Sequence, residues 1–293
     1  MEDTTAVVES QLDWLTVAVH SQERNLDLEH FADELMRTSE AGQNELGAFR
    51  LNGYVGWRCG RVRYGTRQGA GLVQLSGQLA EDHFGELYPW VDRISRLDLA
   101  VTVRTPHYDP ELGERHYYCA DQWVRRKPHA ALPWYVGDAR GGFTFYVGDR
   151  ASDYFFRCYN KQAESRQDPE QARHYERCWR YELECKGGTA GLVARDIDTA
   201  GDRDRAWRVQ GMVFDYCSRH GFAPAFAAEG GQRLTPGFRR RSDRETRLDW
   251  LAKSVAPAVR WLLDQGDRDA VLELLGLQEP PDLELDHTSP QVD

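Results

Sequence analysis

No apolar run in the 293 residues approaches the roughly twenty needed to cross a bilayer, so a membrane-spanning helix is not expected. The six cysteines (59, 119, 158, 178, 185, 217) include no CxxC pair, which argues against zinc modules and redox motifs and leaves free thiols as the expectation. Net positive charge is also missing. Against 47 acids stand 37 basic residues, a formal charge of -10, so any nucleic-acid contact must come from a local cationic surface. Lysine is scarce beside arginine, and the opening Met1-Glu2-Asp3 lacks a basic, apolar leader, so the cytoplasm is the expected location. Internal repeats and low-complexity tracts are absent. The balance of 41% hydrophobic and 29% charged residues is that of a globular protein with a full core. Nine tryptophans make the core the expected home for most of them.

What is present is alternation. Trp179 to Lys186 sets Trp179, Tyr181, Leu183 and Cys185 against Arg180, Glu182, Glu184 and Lys186, the pattern of a strand with one apolar and one polar face. Arg96 to Arg104 repeats it, with Arg96, Asp98, Thr102 and Arg104 opposite Leu97, Leu99, Val101 and Val103. A hairpin is expected from 141–148 and 154–161, placing Tyr146 on one strand and Arg157, Tyr159 and Lys161 on the other. A first strand over 11–19 and a glycine-punctuated meander over 47–77, with strands at 49–55, 57–64 and 71–77, complete the sheet. Helical spacing marks 26–36, 79–91, 192–198, 203–219, 246–265 and 269–275, whereas 105–140 reads as an excursion with four prolines. The expected fold class is α+β: an antiparallel sheet with one face under helices and the other polar, then a helical C-terminal region. The division is 1–188 for the sheet domain, 189–277 for the helical region and 278–293 for a disordered acidic tail.

One polar face carrying carboxylates, cations and two tyrosines suits phosphodiester transfer. Carboxylates bind hard divalent ions, guanidinium groups hold phosphate oxygens, and a tyrosine can attack phosphorus when a neighbour favours its phenolate. Each member also has an ordinary structural reading, as a strand aromatic or a cross-strand ion pair.

The strings RLDLAV (96–101), TFYVGDRASDYFFRCYNKQAE (144–164) and RYELECKGGTA (180–190) resemble the replication initiation factor family of rolling-circle plasmid initiators, conjugative relaxases and phage initiators. LVQLSGQ (72–78), DWLTVAV (13–19) and LDWLAKSVAPAVRWLL (248–263) add to the resemblance in the same order. It implies a metal-dependent endonuclease that nicks one strand of origin DNA through a tyrosine-5′-phosphate intermediate, with a helicase and a polymerase as partners and a homodimer as one possible state.

Carried over by residue, Asp98 and Glu182 match the acidic metal ligands for magnesium or manganese, with Glu184 in reserve. Arg157, Tyr159, Lys161 and Glu164 match the R-x-Y-x-K element and the acid after it. Tyr146, Arg150 and Ser152 match a second element, in which Asp149 stands where serine is usual. Both tyrosines are candidate nucleophiles. Arg157 and Lys161 are expected to lower the pKa of Tyr159, while the turn after Tyr146 offers backbone N–H groups for a phosphate, which favours Tyr146. Arg96, Arg150, Ser152 and Arg180 are candidate DNA contacts, with Arg239 and Arg240 for origin recognition. Thr102 replaces the family's second acid; either Glu184 substitutes for it, metal binding is weaker, or the protein binds DNA without cutting it.

Overall fold

The structure, a computed structural model, describes residues 5–38, 46–89, 91–107, 109–127, 132–137, 142–226, 251 and 255–275. The chain divides into two compact units, residues 1–237 and 238–293.

The first unit is built on ten strands: β1 (Ala6–Val19), β2 (Gly47–Leu51), β3 (Tyr54–Cys59), β4 (Val62–Arg67), β5 (Ala70–Ser76), β6 (Arg93–Arg104), β7 (Trp134–Gly137), β8 (Phe143–Val147), β9 (Tyr154–Asn160) and β10 (Cys178–Lys186). They form one antiparallel sheet in the order β2-β3-β4-β5-β1-β6-β10-β9-β8-β7. The helices are α1 (Gln22–Thr38), α2 (Gln78–Leu87), α3 (Leu112–Val124), α4 (Lys161–Glu164), α5 (Pro169–His174) and α6 (Gly187–Arg219). In the second unit the described helices are α7 (Ala256–Asp264) and α8 (Arg268–Leu275).

The alternation in β6 and β10 works as read. Leu97, Leu99, Val101 and Val103 join Trp179, Tyr181, Leu183 and Cys185 in one core, onto which α1, α2, α3 and α6 pack. The meander has more turns than expected, because two of the anticipated strands each fold back on a two-residue turn. The strand expected at 49–55 turns at Asn52 and Gly53, both with positive φ (49° and 84°), and that expected at 57–64 turns at Gly60 (φ 54°) and Arg61; the turn at Gln68 and Gly69 (49° and 80°) falls in the expected break before 71–77. The excursion over 105–140 contains α3 and the edge strand β7. Gly113 seats α3 against the sheet: a Cβ there would lie 2.4 Å from the Phe143 ring and 2.8 Å from Trp179. The two helices read over 192–219 are both present within α6, separated by the non-helical Gly201 (φ 69°, ψ 173°), and the first begins earlier than expected, at Gly187.

The tryptophans depart from expectation. Among the described ones only Trp179 is buried, and Trp134, Trp207 and Trp261 are exposed. Trp14 leaves the core because β1 carries a bulge between Leu12 and Trp14. The bulge flips side-chain parity, putting Trp14 and Thr16 on the polar face while Leu12, Leu15 and Val17 stay in the core. The expected tail 278–293, and Arg239 and Arg240, lie outside the described residues.

Candidate functional site on the polar sheet face

Residues directly opposed across antiparallel strands share a face, so the register assembles the site row by row. One row reads Trp134, Tyr146, Arg157, Glu182, Ala100 from β7 to β6; the next reads Val136, Thr144, Tyr159, Arg180, Thr102, Glu9 from β7 to β1. Glu184 and Asp98 form an opposed pair in a third. The sheet thus brings Asp98, Tyr146, Arg157, Tyr159, Arg180, Glu182 and Glu184 onto one surface.

This face is polar, yet its centre is dry. Asp98, Arg180 and Glu182 are each 2% exposed and Thr102 is fully buried. Burial is tolerated because every charge is paired. Arg180 donates from Nε to Glu182 (3.1 Å), from Nη1 to Glu9 (3.1 Å) and from Nη2 to Asp13 (2.6 Å). Glu182 accepts in addition from Arg157 Nε and from the Tyr159 hydroxyl (2.6 Å). Burial alone would raise the Glu182 pKa; Arg157, Arg180 and the Tyr159 hydrogen bond outweigh it and hold the carboxyl below its ordinary value. The Asp98 carboxyl is pushed up to about 7 by burial, against the pull of Arg96, which grips it through Nε (2.8 Å) and Nη2 (2.6 Å). Arg96 also reaches Glu184 (3.3 Å), whose other oxygen meets Lys186 (3.1 Å).

Glu9, Asp13 and Tyr175 escaped sequence reasoning. Glu9 precedes the strand expected at 11–19, Asp13 lies at the bulge, and Tyr175 comes from the irregular connection after α5, donating its hydroxyl to Glu9 (2.6 Å). Thr102 contacts Glu9 (3.2 Å) and Arg180 (3.2 Å), so the acid beside the position of the missing family acid is Glu9; Glu184 lies on the row of Asp98.

The two tyrosines differ sharply. The Tyr159 pKa is raised well above its ordinary value by burial and by Glu182, the reverse of the lowering expected from Arg157 and Lys161. Those cations stand about the ring at 5.9 and 5.8 Å, while the hydroxyl points to a carboxylate. Lys161 has become the first residue of α4 and pairs with Glu164 (2.8 Å). Tyr146 stacks between Trp134 (3.8 Å) and Phe155 (5.6 Å), and its hydroxyl has no hydrogen-bond partner among the described residues. A cleft of about 310 Å³ brings together Tyr146, Arg157, Tyr159, Asn160, Glu164 and Arg166.

The turn after Tyr146 is closed on itself. Asp149 accepts the Ala151 N–H through its side chain (2.7 Å) and the Ser152 N–H through its carbonyl (3.0 Å). The Ser152 hydroxyl lies between the carbonyls of Asp149 and Tyr154. Two of the turn's N–H groups, those of Ala151 and Ser152, are therefore engaged by Asp149, the residue standing where serine is usual. Arg150 is exposed, 4.8 Å from the Phe155 ring.

The donor chemistry of Asp98, Glu182 and Glu184 suits a hard divalent ion. Their arrangement does not gather round one: Asp98 and Glu184 share Arg96, Glu182 faces Arg157 and Arg180, and no three His, Cys, Asp or Glu side chains among the described residues converge to hold a metal.

No helix among the described residues is long and apolar enough to cross a membrane. No curated protein matches the chain. Among solved structures the chain is similar to the rolling circle replication initiator protein from Geobacillus stearothermophilus, at 17% identity and a TM-score of 0.45, covering 83% of this chain and 95% of that one. Residues 92–216, from the start of β6 almost to the end of α6, match the family model described as replication initiation factor. Asp98, Tyr146, Arg157, Tyr159, Arg180, Glu182 and Glu184 all lie inside that segment, so the part of the chain similar to the replication initiation factor family is the part that builds the polar face.

Proposed function

We propose that the chain is a strand-nicking and joining enzyme that initiates rolling-circle replication or transfer at a DNA origin, with Tyr146 as nucleophile. The observation that carries the choice of residue is the contrast within one cleft: the Tyr159 hydroxyl is committed to Glu182, whereas that of Tyr146 is uncommitted beside Arg157. The Tyr146 oxygen attacks a backbone phosphorus, the P–O3′ bond breaks, and a tyrosine-5′-phosphate ester forms while the departing 3′ oxygen takes up a proton. Arg157, the cross-strand neighbour of Tyr146, holds a non-bridging oxygen of that phosphate. Trp134 and Phe155 fix the ring, so the attacking oxygen is positioned before the DNA arrives. Reversal of the same step rejoins the strand.

In this reading the freed 3′ hydroxyl primes a polymerase, a helicase opens the duplex ahead of it, and Arg239 and Arg240 contribute to origin recognition. Magnesium or manganese as the accompanying ion and a homodimer as the active form belong to the same proposal. A supercoiled plasmid carrying the DNA that flanks the gene, incubated with and without manganese, tests the activity: open circles are expected with the native chain and none with Tyr146→Phe.

A second reading, a DNA-binding protein that does not cut, draws on two observations. Thr102 stands in place of an acid, and Asp149 occupies the phosphate-facing N–H of its turn. Retained DNA binding with intact supercoils in every condition would select it.

A further inference from the structure

The polar face extends past the carboxylates, and there its charge changes sign. Continuing the register from β3 to β10 gives one straight row: Arg58, Arg63, Gln74, Thr16, Arg96, Lys186. Four of the six are cations. Arg58 and Arg63 are directly opposed, and like charges so placed cost stability unless something offsets them. Among the described residues neither has a carboxylate partner, and Arg63 Nη1 is buried with no hydrogen-bond acceptor. The ring of Trp14 holds two members of the row in place, with the Arg63 guanidinium 4.7 Å and that of Arg96 4.6 Å from its centre. Trp14 is itself fixed by its indole N–H, which donates to Thr16 (2.9 Å), and Gln74 donates to the same hydroxyl (3.2 Å). At about 4.8 Å per strand the row runs about 24 Å, the rise of roughly seven stacked nucleotides at about 3.4 Å each.

We infer that this row is a track for the phosphodiester backbone of the DNA strand flanking the cleavage site, with Arg58 and Arg63 as its free phosphate contacts and Trp14 as the residue that pre-organises it. The inference rests on the DNA-processing reading above. Three features favour a strand over a small anion: the linear spacing, the open face with Arg58 exposed, and continuity through Arg96 with Asp98 and Glu184. The sign change along the face also accounts for how a chain of net charge -10 presents a surface for a polyanion.

The test is fluorescence anisotropy of a fluorescein-labelled 30-nucleotide oligo-dT between 50 and 200 mM salt, on the full chain. Each lost phosphate contact lowers the slope of log K against log salt by about 0.7 for single strands, so Arg58→Gln with Arg63→Gln is expected to flatten it by about 1.4 and to weaken binding about tenfold at low salt. Arg58→Gln alone, at an exposed position, is expected to flatten it by about 0.7. The lysine pair Arg58→Lys with Arg63→Lys is expected to keep the native slope. Thermal stability of the glutamine pair should be unchanged or higher, since removing opposed like charges relieves repulsion; a structural role for the pair predicts the opposite. Native binding with identical slope and affinity in the glutamine variants overturns the track and leaves DNA binding elsewhere intact. No binding by the native chain at any salt overturns both the track and the reading beneath it.

Discussion

Arg180 sits where three acids meet: Glu9, Asp13 and Glu182 converge on one guanidinium that is almost wholly buried. Desolvation of a buried ion pair consumes most of its Coulombic gain, so the group adds little net stability while intact. Breaking it is another matter. Arg180→Ala is expected to cost about 3–5 kcal/mol, read by urea denaturation, because it strands buried carboxylates. A loss below 1 kcal/mol would mean that water or another cation takes its place. Asp149 offers a gain instead. Asp149→Ser removes a carboxylate from the turn after Tyr146 and frees the Ala151 N–H, so a 5′-phosphorylated oligonucleotide should bind a few-fold more tightly; an unchanged Kd would show that the turn takes no part. At this scale the sequence was legible wherever period-two alternation held. Asp98, Arg157, Arg180, Glu182 and Glu184 fall on the polar face as parity requires. Glu9, Asp13 and Tyr175 were illegible, because a bulge or an irregular connection delivers them and neither leaves a periodic signature. Charge type was legible too, but partner choice was not: Tyr159 stands among cations in sequence and donates to an acid in space.

The elements around the core carry a pH-sensitive contact of their own. His116 on α3 packs among Phe145, Tyr181 and Phe222. The Tyr181 hydroxyl accepts from the Ala225 N–H (3.0 Å) and is hydrogen-bonded with His116 Nε2 (2.8 Å). Burial, with Arg115 adding to it, depresses the His116 pKa from 6.5 to about 4. A depressed folded-state pKa contributes stability that is present above 6.5 and is lost as pH falls towards 4, so the native chain should weaken over that window. The depression caps the effect at about 3 kcal/mol. His116→Gln should flatten the pH dependence of the melting temperature between 6.5 and 4; an unaltered slope would place the titration elsewhere. Close packing of the same helix gives a second expectation. Gly113→Ala drives a methyl into Phe143 and Trp179 and should cost about 1–3 kcal/mol by thermal or chemical melting. The strands β6, β8, β9 and β10 were readable because each alternates. In the stretch over 105–140, α3 was not readable, since four prolines and a scatter of charge mask its helical period.

Within the first unit, α1, α2, α3 and α6 cover one face of a ten-stranded sheet and the candidate site lies on the other. That division lets a strongly acidic chain keep a cationic row and an uncommitted tyrosine on one surface, away from the apolar core. It also explains why overall charge is a poor guide to partners here: the register decides which side chains meet, and composition carries no register. The most direct measurement is of the covalent intermediate itself. Native protein is incubated with supercoiled DNA carrying the gene's flanking sequence, digested with nuclease and protease, and its peptides are searched by mass spectrometry for a nucleotide on tyrosine. The account predicts a nucleotide joined through phosphate to Tyr146, present with Tyr159→Phe and lost with Tyr146→Phe; an adduct on Tyr159, or intact DNA with no adduct at all, would contradict it.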